Sequence, residues 1–229
     1  MKYNNFNEKV AILVDGGFYR RRAQSVWGEK TSSERIEEML NYCYRHLSDK
    51  GARKAFELYR IFYYDCPPMS RTIYHPFLKK NIDFRHTDLF VWMNEFLMGL
   101  TYRRKIALRL GMLSDTQAKY TLDAKVLNKL CNKDITVDDL KESDFRLDVK
   151  QKGVDMKIGV DIASLAYKQQ VDKIILISGD SDFVPAAKLA RREGIDFVLD
   201  PMRHNIKSDL QEHVDGVMSC FSPPKIKDK

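Results

Sequence analysis

Residues 151–183 have the sequence QKGVDMKIGVDIASLAYKQQVDKIILISGDSDF, and this stretch carries the main signals for the fold. Its apolar run Lys173–Ser178 is typical of a strand that is buried on both faces. Apolar residues at helical spacing before it predict a helix over Asp161–Gln170. The turn Gly179–Asp182 follows the strand, and a second helix then runs through Arg192. This order of elements is typical of a parallel sheet with helical crossovers.

The flanking segments continue the same alternation of strand and helix. Further strands are expected at Val10–Val14, Phe56–Tyr64, Ile195–Leu199 and Val217–Phe221, with helices between about Ile36 and Gly51 and over Ile206–His213. Right-handed crossovers between such strands place helices on both faces of one sheet. The expected fold class is therefore α/β, a three-layer αβα domain around a central parallel sheet.

The middle of the chain, residues 67–150, is less regular and is interpreted as an insertion with helical and β elements. The expected elements are an apolar helix at Leu89–Leu100, strands at Lys105–Leu113 and Asp144–Val149, and a polar helix around Val137–Glu142. With no repeat or linker in view, we expect a single domain over residues 1–221. A flexible basic tail over 222–229, rich in proline and lysine, is expected to follow it.

Composition limits the classes of function. The 229 residues are 44% hydrophobic and 31% charged, as in ordinary globular proteins. The net charge of +7 favours an anionic partner such as nucleic acid, although many proteins of this charge have none. The four cysteines form no CxxC pair, which argues against thiolate metal sites and disulfide frameworks. The start lacks the apolar segment of a signal peptide, and no stretch has membrane-spanning length, so a cytoplasmic location is expected.

Several aspartates directly follow predicted strands. Asp15 follows the first strand, Asp65 the second, and Asp180 and Asp182 follow the strand at 173–178. Parallel strands expose their carboxyl ends at one edge of the sheet, where ligands usually bind. Carboxylates gathered there repel one another unless a cation neutralises them, and hard oxygen ligands suit Mg²⁺ or Mn²⁺. The pattern predicts a metal site at this edge.

Each aspartate taken alone has a simpler explanation, because aspartate favours turns and caps helices. Asp182 is placed to cap the helix that follows it. Asp65 and Asp200 are expected to be turn residues and are left out of the predicted site. The shared position of the other acids after strands favours the metal interpretation for them.

The stretch 151–183 closely resembles the NYN domain, and in particular its LabA-like branch, within the PIN-like nuclease superfamily. The matching segments are Lys152–Asp155, Asp161, Ser178–Phe183, VAILVDGG at 10–17, Tyr64-Asp65 and Ser208–Asp215. The resemblance covers residues 8–66 and 148–221. The Ser178–Phe183 motif is specific, whereas VDGG alone is weak.

The resemblance implies a metal-dependent ribonuclease that hydrolyses RNA phosphodiester bonds. Its acidic cluster, holding Mg²⁺ or Mn²⁺, would consist of Asp15, Asp155, Asp161, Asp180 and Asp182. The ion would activate a water and stabilise charge in the transition state. Because Asp155 and Asp161 are six positions apart and so not on one helical face, Asp155 is expected to precede the helix that carries Asp161. Many NYN domains have an asparagine shortly after the first aspartate, where this chain has Gly17-Phe18.

Residues beside the acids are candidates for binding the RNA, which is expected to be single-stranded or structured. Arg20, Arg21 and Arg22 follow the first loop and could contact the nucleic-acid backbone, although such charge runs are more often only solvated. Lys152 could neutralise a phosphate, with a solvated lysine as the equal alternative. Ser178 and Gly179 precede a helix N-terminus that could receive a phosphate. A homodimer is a possible assembly.

Two other functions are compatible with this sequence. A PIN-like domain can bind RNA or protein without turnover, because a fold does not guarantee chemistry. A metal-dependent phosphatase is a third hypothesis, but the haloacid dehalogenase type is disfavoured because DGGF lacks the second aspartate of DxD. The five histidines show no metal-ligand spacing, and no serine or cysteine lies in a nucleophile motif.

Overall fold

The computed structural model describes residues 8–49 and 54–221. Its strands are β1 (Lys9–Asp15), β2 (Ser48–Asp49), β3 (Lys54–Ala55), β4 (Glu57–Asp65), β5 (Thr72–His75), β6 (Lys80–Asp83), β7 (Ile106–Leu110), β8 (Met112–Leu113), β9 (Lys119–Leu122), β10 (Phe145–Asp148), β11 (Gln151–Lys152), β12 (Lys173–Ile177), β13 (Asp196–Asp200) and β14 (Gly216–Val217). Its α-helices are α1 (Gly16–Trp27), α2 (Ser32–Arg45), α3 (Asp88–Thr101), α4 (Ala124–Cys131), α5 (Val154–Tyr167), α6 (Val184–Arg192) and α7 (Ser208–Glu212).

The central sheet has six strands in the order β14-β13-β12-β1-β4-β7. Every neighbouring pair is parallel. Strand β1 lies near the middle, where Val14 is paired with Ile177 of β12 on one side and with Tyr63 of β4 on the other. The apolar run of β1 is completely buried, as expected for a strand covered on both faces.

Alternate side chains of β1 enter two separate cores. Val10, Ile12 and Val14 pack in a core with α1, α2 and α3. Ala11 and Leu13 pack on the opposite face with α5, α6 and α7. This alternation follows from the pleat of a strand, in which successive side chains point to opposite faces. The predicted three-layer αβα arrangement is confirmed.

Residues 67–150 contribute both to these layers and to small sheets outside them. Helix α3 packs in the first core, and β7 forms one edge of the central sheet. Outside these layers, β5 pairs with β6, β9 with β10 and β8 with β11, all antiparallel. The strands expected at 105–113 and 144–149 are present. The prediction of a polar helix around 137–142 is wrong, because the chain makes two short 3₁₀ turns there instead.

One further helix and two boundaries differ from the expectations. Helix α1, which is not among the expected helices, begins at Gly16 directly after β1, so the arginines at 20–22 lie on a helix. Helix α5 begins at Val154, seven residues before the expected start, because Gly153 has a φ of 80° and turns the chain sharply from β11. The last strand is limited to Gly216–Val217.

Two predictions concern the ends of the chain and its relation to a membrane. The expected flexible tail, residues 222–229, lies outside the described residues. None of the helices in the described part of the chain combines the length and the apolarity that crossing a membrane requires.

Candidate active site

Asp15 lies at the junction of β1 and α1. Its Oδ1 accepts a hydrogen bond of 3.0 Å from the backbone N–H of Phe18, which makes Asp15 the N-cap of α1. Its Oδ2 accepts a bond of 3.1 Å from the hydroxyl of Ser178, the fully buried residue that follows β12. Both carboxylate oxygens are therefore held in place at the carboxyl edge of the sheet.

Asp180 and Asp182 follow the same strand as Ser178. Oδ1 of Asp180 accepts a 3.0 Å hydrogen bond from the backbone N–H of Asp182 and caps the 3₁₀ turn Ser181–Phe183. The cap expected from Asp182 is thus made by Asp180 and serves this short turn. Both side chains are exposed, so they remain accessible to a ligand at this edge.

Asp155 is the electrostatic link between these acids. It lies in the first turn of α5, so the expectation that it precedes the helix is wrong. Partial burial and the negative charges of Asp180 and Asp182 raise its pKa. The pKa of Asp15 is also raised, chiefly by burial and in smaller part by Asp155, against the lowering effect of its hydrogen bonds and of Arg21. The structure therefore brings four carboxylates within electrostatic reach: Asp15, Asp155, Asp180 and Asp182.

Asp161 faces a different part of the sheet. Its Oδ2 accepts a 2.8 Å hydrogen bond from the hydroxyl of Tyr64 on β4 and a 3.0 Å bond from Nε of Arg109 on β7. The contact with Arg109 is a partly exposed ion pair. Asp161 is therefore held by side chains of β4 and β7.

The neighbouring arginines of α1 have different environments. Arg20 donates through Nε and Nη2 to both oxygens of Asp65, at 2.9 and 3.1 Å. Arg22 donates through Nη2 to the carbonyl oxygen of Met202 at 2.8 Å. Arg21 is exposed, and its positive charge lowers the pKa of Asp15. Of these three arginines, Arg21 is thus the one whose charge acts on an acid of the candidate site.

The two other predicted substrate contacts lie on different elements. Lys152 is an exposed residue of β11, just before the turn into α5. Gly179 lies under the ring of Phe18, and a Cβ at this position would be only 2.9 Å from Cε2 of that ring. Where many NYN domains have asparagine, this chain thus has an aromatic ring packed against the turn that carries Asp180.

Two aspartates expected to be turn residues are buried in polar networks. The expectation is wrong for Asp65, which ends β4, and holds for Asp200 only in its bond to the Met202 N–H. Asp65 binds Arg20 and accepts a 3.1 Å bond from the hydroxyl of Tyr63. Asp200 is fully buried and accepts bonds from four groups. These are the Tyr42 hydroxyl, His46 Nε2 (2.8 Å), the Ser219 hydroxyl (2.7 Å) and the Met202 N–H (2.7 Å). Apart from Tyr63 and Met202, each two positions away, their partners lie far away in the sequence, so local patterns gave no signal for them.

The donor chemistry of the acidic cluster suits a hard divalent cation. Burial, together with the charges of neighbouring acids, raises the pKa of Asp15 and Asp155, and a bound cation would favour their ionised forms. Within residues 8–49 and 54–221, however, no three or more histidine, cysteine, aspartate or glutamate side chains are grouped closely enough to hold an ion. Mg²⁺ is commonly bound by one or two carboxylates together with waters and substrate phosphates. The acidic residues fit this kind of Mg²⁺ site, and they do not form a site in which protein ligands alone surround the ion.

Comparison with known proteins identifies the family of this chain. A search of curated proteins found no match. A crystal structure of a protein of unknown function from Vibrio parahaemolyticus is similar over 93% of both chains, with 15% identity and a TM-score of 0.48. The NYN domain family model matches residues 96–220, which is more than half of the chain and includes Asp155, Asp161, Asp180 and Asp182. The chain therefore belongs to the NYN domain family, and its αβα layers are those of a nuclease-like PIN fold.

Proposed function

We propose that this protein is a ribonuclease that uses Mg²⁺ or Mn²⁺ to hydrolyse phosphodiester bonds of RNA. The observation that supports this best is the position of Asp15, Asp155, Asp180 and Asp182, within electrostatic reach of one another at the carboxyl edge of an NYN domain. Acids that repel one another are costly to keep in a fold, and catalytic sites are where such perturbed groups concentrate. Membership of the LabA-like branch and a cytoplasmic location remain part of this proposal.

The acids have distinct roles in the proposed site. Asp15 is a rigid ligand, because Phe18 and Ser178 fix both of its oxygens. Asp155, Asp180 and Asp182 are exposed enough to face the substrate. A divalent ion held here would lower the pKa of a water and stabilise charge on the phosphate. Asp161 is an outer member of the set, because its carboxylate is shared with Tyr64 and Arg109.

Cationic groups around the site suit an RNA backbone. Arg21 lies beside Asp15, where it can meet a phosphate and balance part of the negative charge. Lys152 and Arg20 complete the proposed contacts, Arg20 from its bidentate pair with Asp65. Ser178 and Gly179 form the start of the turn that positions Asp180 beside the bound RNA. The net charge of +7 supports the same class of partner.

A second function is favoured by one observation. Because no three metal-ligating side chains of the described residues form a ready group, the domain could bind RNA or protein without cleaving it. Such a regulatory module would bind RNA equally well in the presence of EDTA. A measurement of RNA cleavage therefore distinguishes the two functions, whereas a measurement of RNA binding does not.

The test is to incubate the protein with end-labelled single-stranded RNA and Mn²⁺ or Mg²⁺, with and without EDTA. We expect cleavage that EDTA abolishes. Asp180→Asn keeps the shape of the side chain but removes one charge, and it should slow cleavage roughly a hundredfold. Asp138→Asn, an exposed acid of the 67–150 segment, is the matched control and should cleave as the wild type does. Cleavage by Asp180→Asn at the wild-type rate would contradict the assignment of this site.

A further inference from the structure

A groove of about 670 Å³ lies at the carboxyl ends of β13 and β14, beyond the acids already described. Its lining includes Arg203, His204, Asn205, Gln211, Val217 and Met218. The groove opens on the same edge of the sheet as the acidic cluster, since β12, β13 and β14 are parallel neighbours. Ligands of open α/β sheets bind along this edge.

The groove continues directly from the acidic site. The ring of His204 meets the ring of Phe18 edge-on, with centroids 6.2 Å apart. A Cβ on Gly179 would lie 3.6 Å from Cδ2 of His204. Close to this contact, Lys207 donates a 3.3 Å hydrogen bond to the hydroxyl of Ser181, the residue between Asp180 and Asp182. A chain-like ligand at the acids can therefore extend past His204 into the groove.

The lining of the groove is complementary to a nucleotide. No carboxylate is among its lining residues, whereas Arg203 supplies a positive charge and His204 an imidazole ring that can form hydrogen bonds. The amides of Asn205 and Gln211 can both donate and accept hydrogen bonds. The side chains of Val217 and Met218 are 44% and 39% exposed, which leaves apolar surface for a base. A separate cavity of about 350 Å³ beside α1 and α3 differs, because the carboxylates of Glu29 and Asp88 line it together with basic side chains.

The loop that forms one wall of the groove is held in a strained conformation. Met202 and Arg203 have φ angles of 47° and 56°, which non-glycine residues rarely adopt. The buried Asp200 fixes this shape, since it accepts from the Met202 N–H at 2.7 Å and from the Ser219 hydroxyl at 2.7 Å. That hydroxyl in turn accepts a 2.9 Å bond from the N–H of Arg203. The otherwise unexplained network around Asp200 thus preorganises the wall of the groove.

We propose that this groove binds a nucleotide adjacent to the phosphodiester that lies at the acidic site. The backbone phosphate contacts Arg203 and His204, and the base lies against Val217 and Met218 with its edge toward Asn205 and Gln211. A base can enter only when it is unstacked and unpaired, so the groove selects single-stranded RNA over duplex. This inference rests on the proposed function and names the substrate form and the subsite that this function requires.

The test measures binding of fluorescent single-stranded RNA by anisotropy in EDTA, where cleavage does not interfere. Met218→Asp places a negative charge in the groove and should weaken binding about tenfold or more. Asn205→Ala, which removes one amide with little risk to the fold, should weaken binding in the same direction. Val137→Asp is the matched control, because Val137 is a 73% exposed valine of the 67–150 segment, and its affinity should equal that of the wild type. Thermal melts establish that each variant is folded.

The outcomes separate the two proposals. If Asn205→Ala and a folded Met218→Asp both bind RNA as the wild type does while the wild type cleaves RNA, the groove assignment is overturned and the ribonuclease assignment stands. If the wild type neither binds nor cleaves RNA, both fall. Equal affinity for single-stranded RNA and the matched duplex would overturn the proposed selection. A polyacidic peptide that displaces the RNA from the wild type but not from Met218→Asp would reassign the groove to a protein partner.

Discussion

The Ser178 hydroxyl lies 3.1 Å from Oδ2 of Asp15 and donates a hydrogen bond to it across the carboxyl ends of β12 and β1. The two residues are 163 positions apart in the sequence. This bond joins the opening VDGG segment to the SGDSDF segment, and it is one of the contacts that hold the pKa of Asp15 down against the effect of burial. Ser178 therefore lowers the pKa of Asp15, the acid whose two carboxylate oxygens are both held by hydrogen bonds.

Ser178→Ala should change the pH dependence of cleavage. Without the hydroxyl, the pKa of Asp15 rises further, because the hydrogen bond stabilises the ionised form. Asp15 then loses its charge at a higher pH, so the acidic limb of the single-turnover pH–rate profile should move toward higher pH. Ser143→Ala, at an exposed serine of the 67–150 segment, is the control. An acidic limb that coincides with that of the wild type would exclude this role for Ser178.

Asp155→Asn should stabilise the protein at neutral pH. The pKa of Asp155 is raised above the ordinary value of 3.8, so the folded state binds this proton more tightly than the unfolded state does. Its ionisation therefore costs stability, fully above the folded-state pKa and not at all well below 3.8. We expect Tm to rise for Asp155→Asn at pH 7 and the gain to shrink at pH 4.

Two controls sharpen this measurement. Asp138→Asn, at an exposed acid of the 3₁₀ turn Val137–Asp139, should leave Tm unchanged at both pH values. Added Mn²⁺ should raise Tm of the wild type more than that of Asp155→Asn, because a bound cation stabilises the folded state in proportion to its affinity. An equal gain for Asp155→Asn at pH 7 and pH 4 would show that charge repulsion is not its cause.

Alanine at two glycines should have opposite effects. At Gly179 a Cβ would lie 2.9 Å from the ring of Phe18, so the ring must move and disturb the N-terminus of α1. We expect Gly179→Ala to lose about 1–3 kcal/mol of unfolding free energy and most of its cleavage activity. At Gly159, inside α5, a Cβ meets nothing within 4 Å, and Gly159→Ala should gain up to about 1 kcal/mol. Urea unfolding measures both, and a stabilised Gly179→Ala would refute the packing argument.

Asp65→Asn should be strongly destabilising. The carboxylate of Asp65 is completely buried and receives both Nε and Nη2 of Arg20, so its replacement leaves a largely buried guanidinium without its counter-charge. The expected loss is about 3 kcal/mol in urea unfolding. Glu37→Gln is the contrasting variant, since its ion pair with Arg103 is roughly half exposed on both sides and should contribute less than about 1 kcal/mol. Similar losses in the two variants would mean that burial does not set the strength of the Arg20–Asp65 pair.

The layers of the fold could be predicted because the strands that build them are apolar on both faces. The runs at 10–14 and 173–178 admit few other structures, and the acids at their ends are therefore placed at the same edge of the sheet. The start of α5 could not be predicted from its apolar spacing, because it depends on the left-handed turn at Gly153. This single glycine moves Asp155 onto the helix.

The surroundings of individual aspartates could not be predicted, since they depend on which strands are neighbours. Asp161 meets Arg109 only because β7, from the least regular part of the sequence, lies beside β4. Asp65 and Asp200 have the local sequence of turn residues, yet each is buried by partners that the topology brings from distant segments. Local patterns identify an acid at a strand end but not the cation or hydroxyl that binds it.

The central position of β1 has a consequence for the synthesis of this protein. The NYN family match spans residues 96–220, yet β1 and β4, which lie between β12 and β7, come from the first 65 residues. A fragment limited to the matched residues would lack β1 and β4, so β7 would have no strand between it and β12 to pair with. On the ribosome, β1 can pair with β4 early, but its other edge must wait for β12. An apolar strand edge left open during that interval can pair with a neighbouring chain, so rapid completion of translation and early chaperone binding should govern the yield of folded protein.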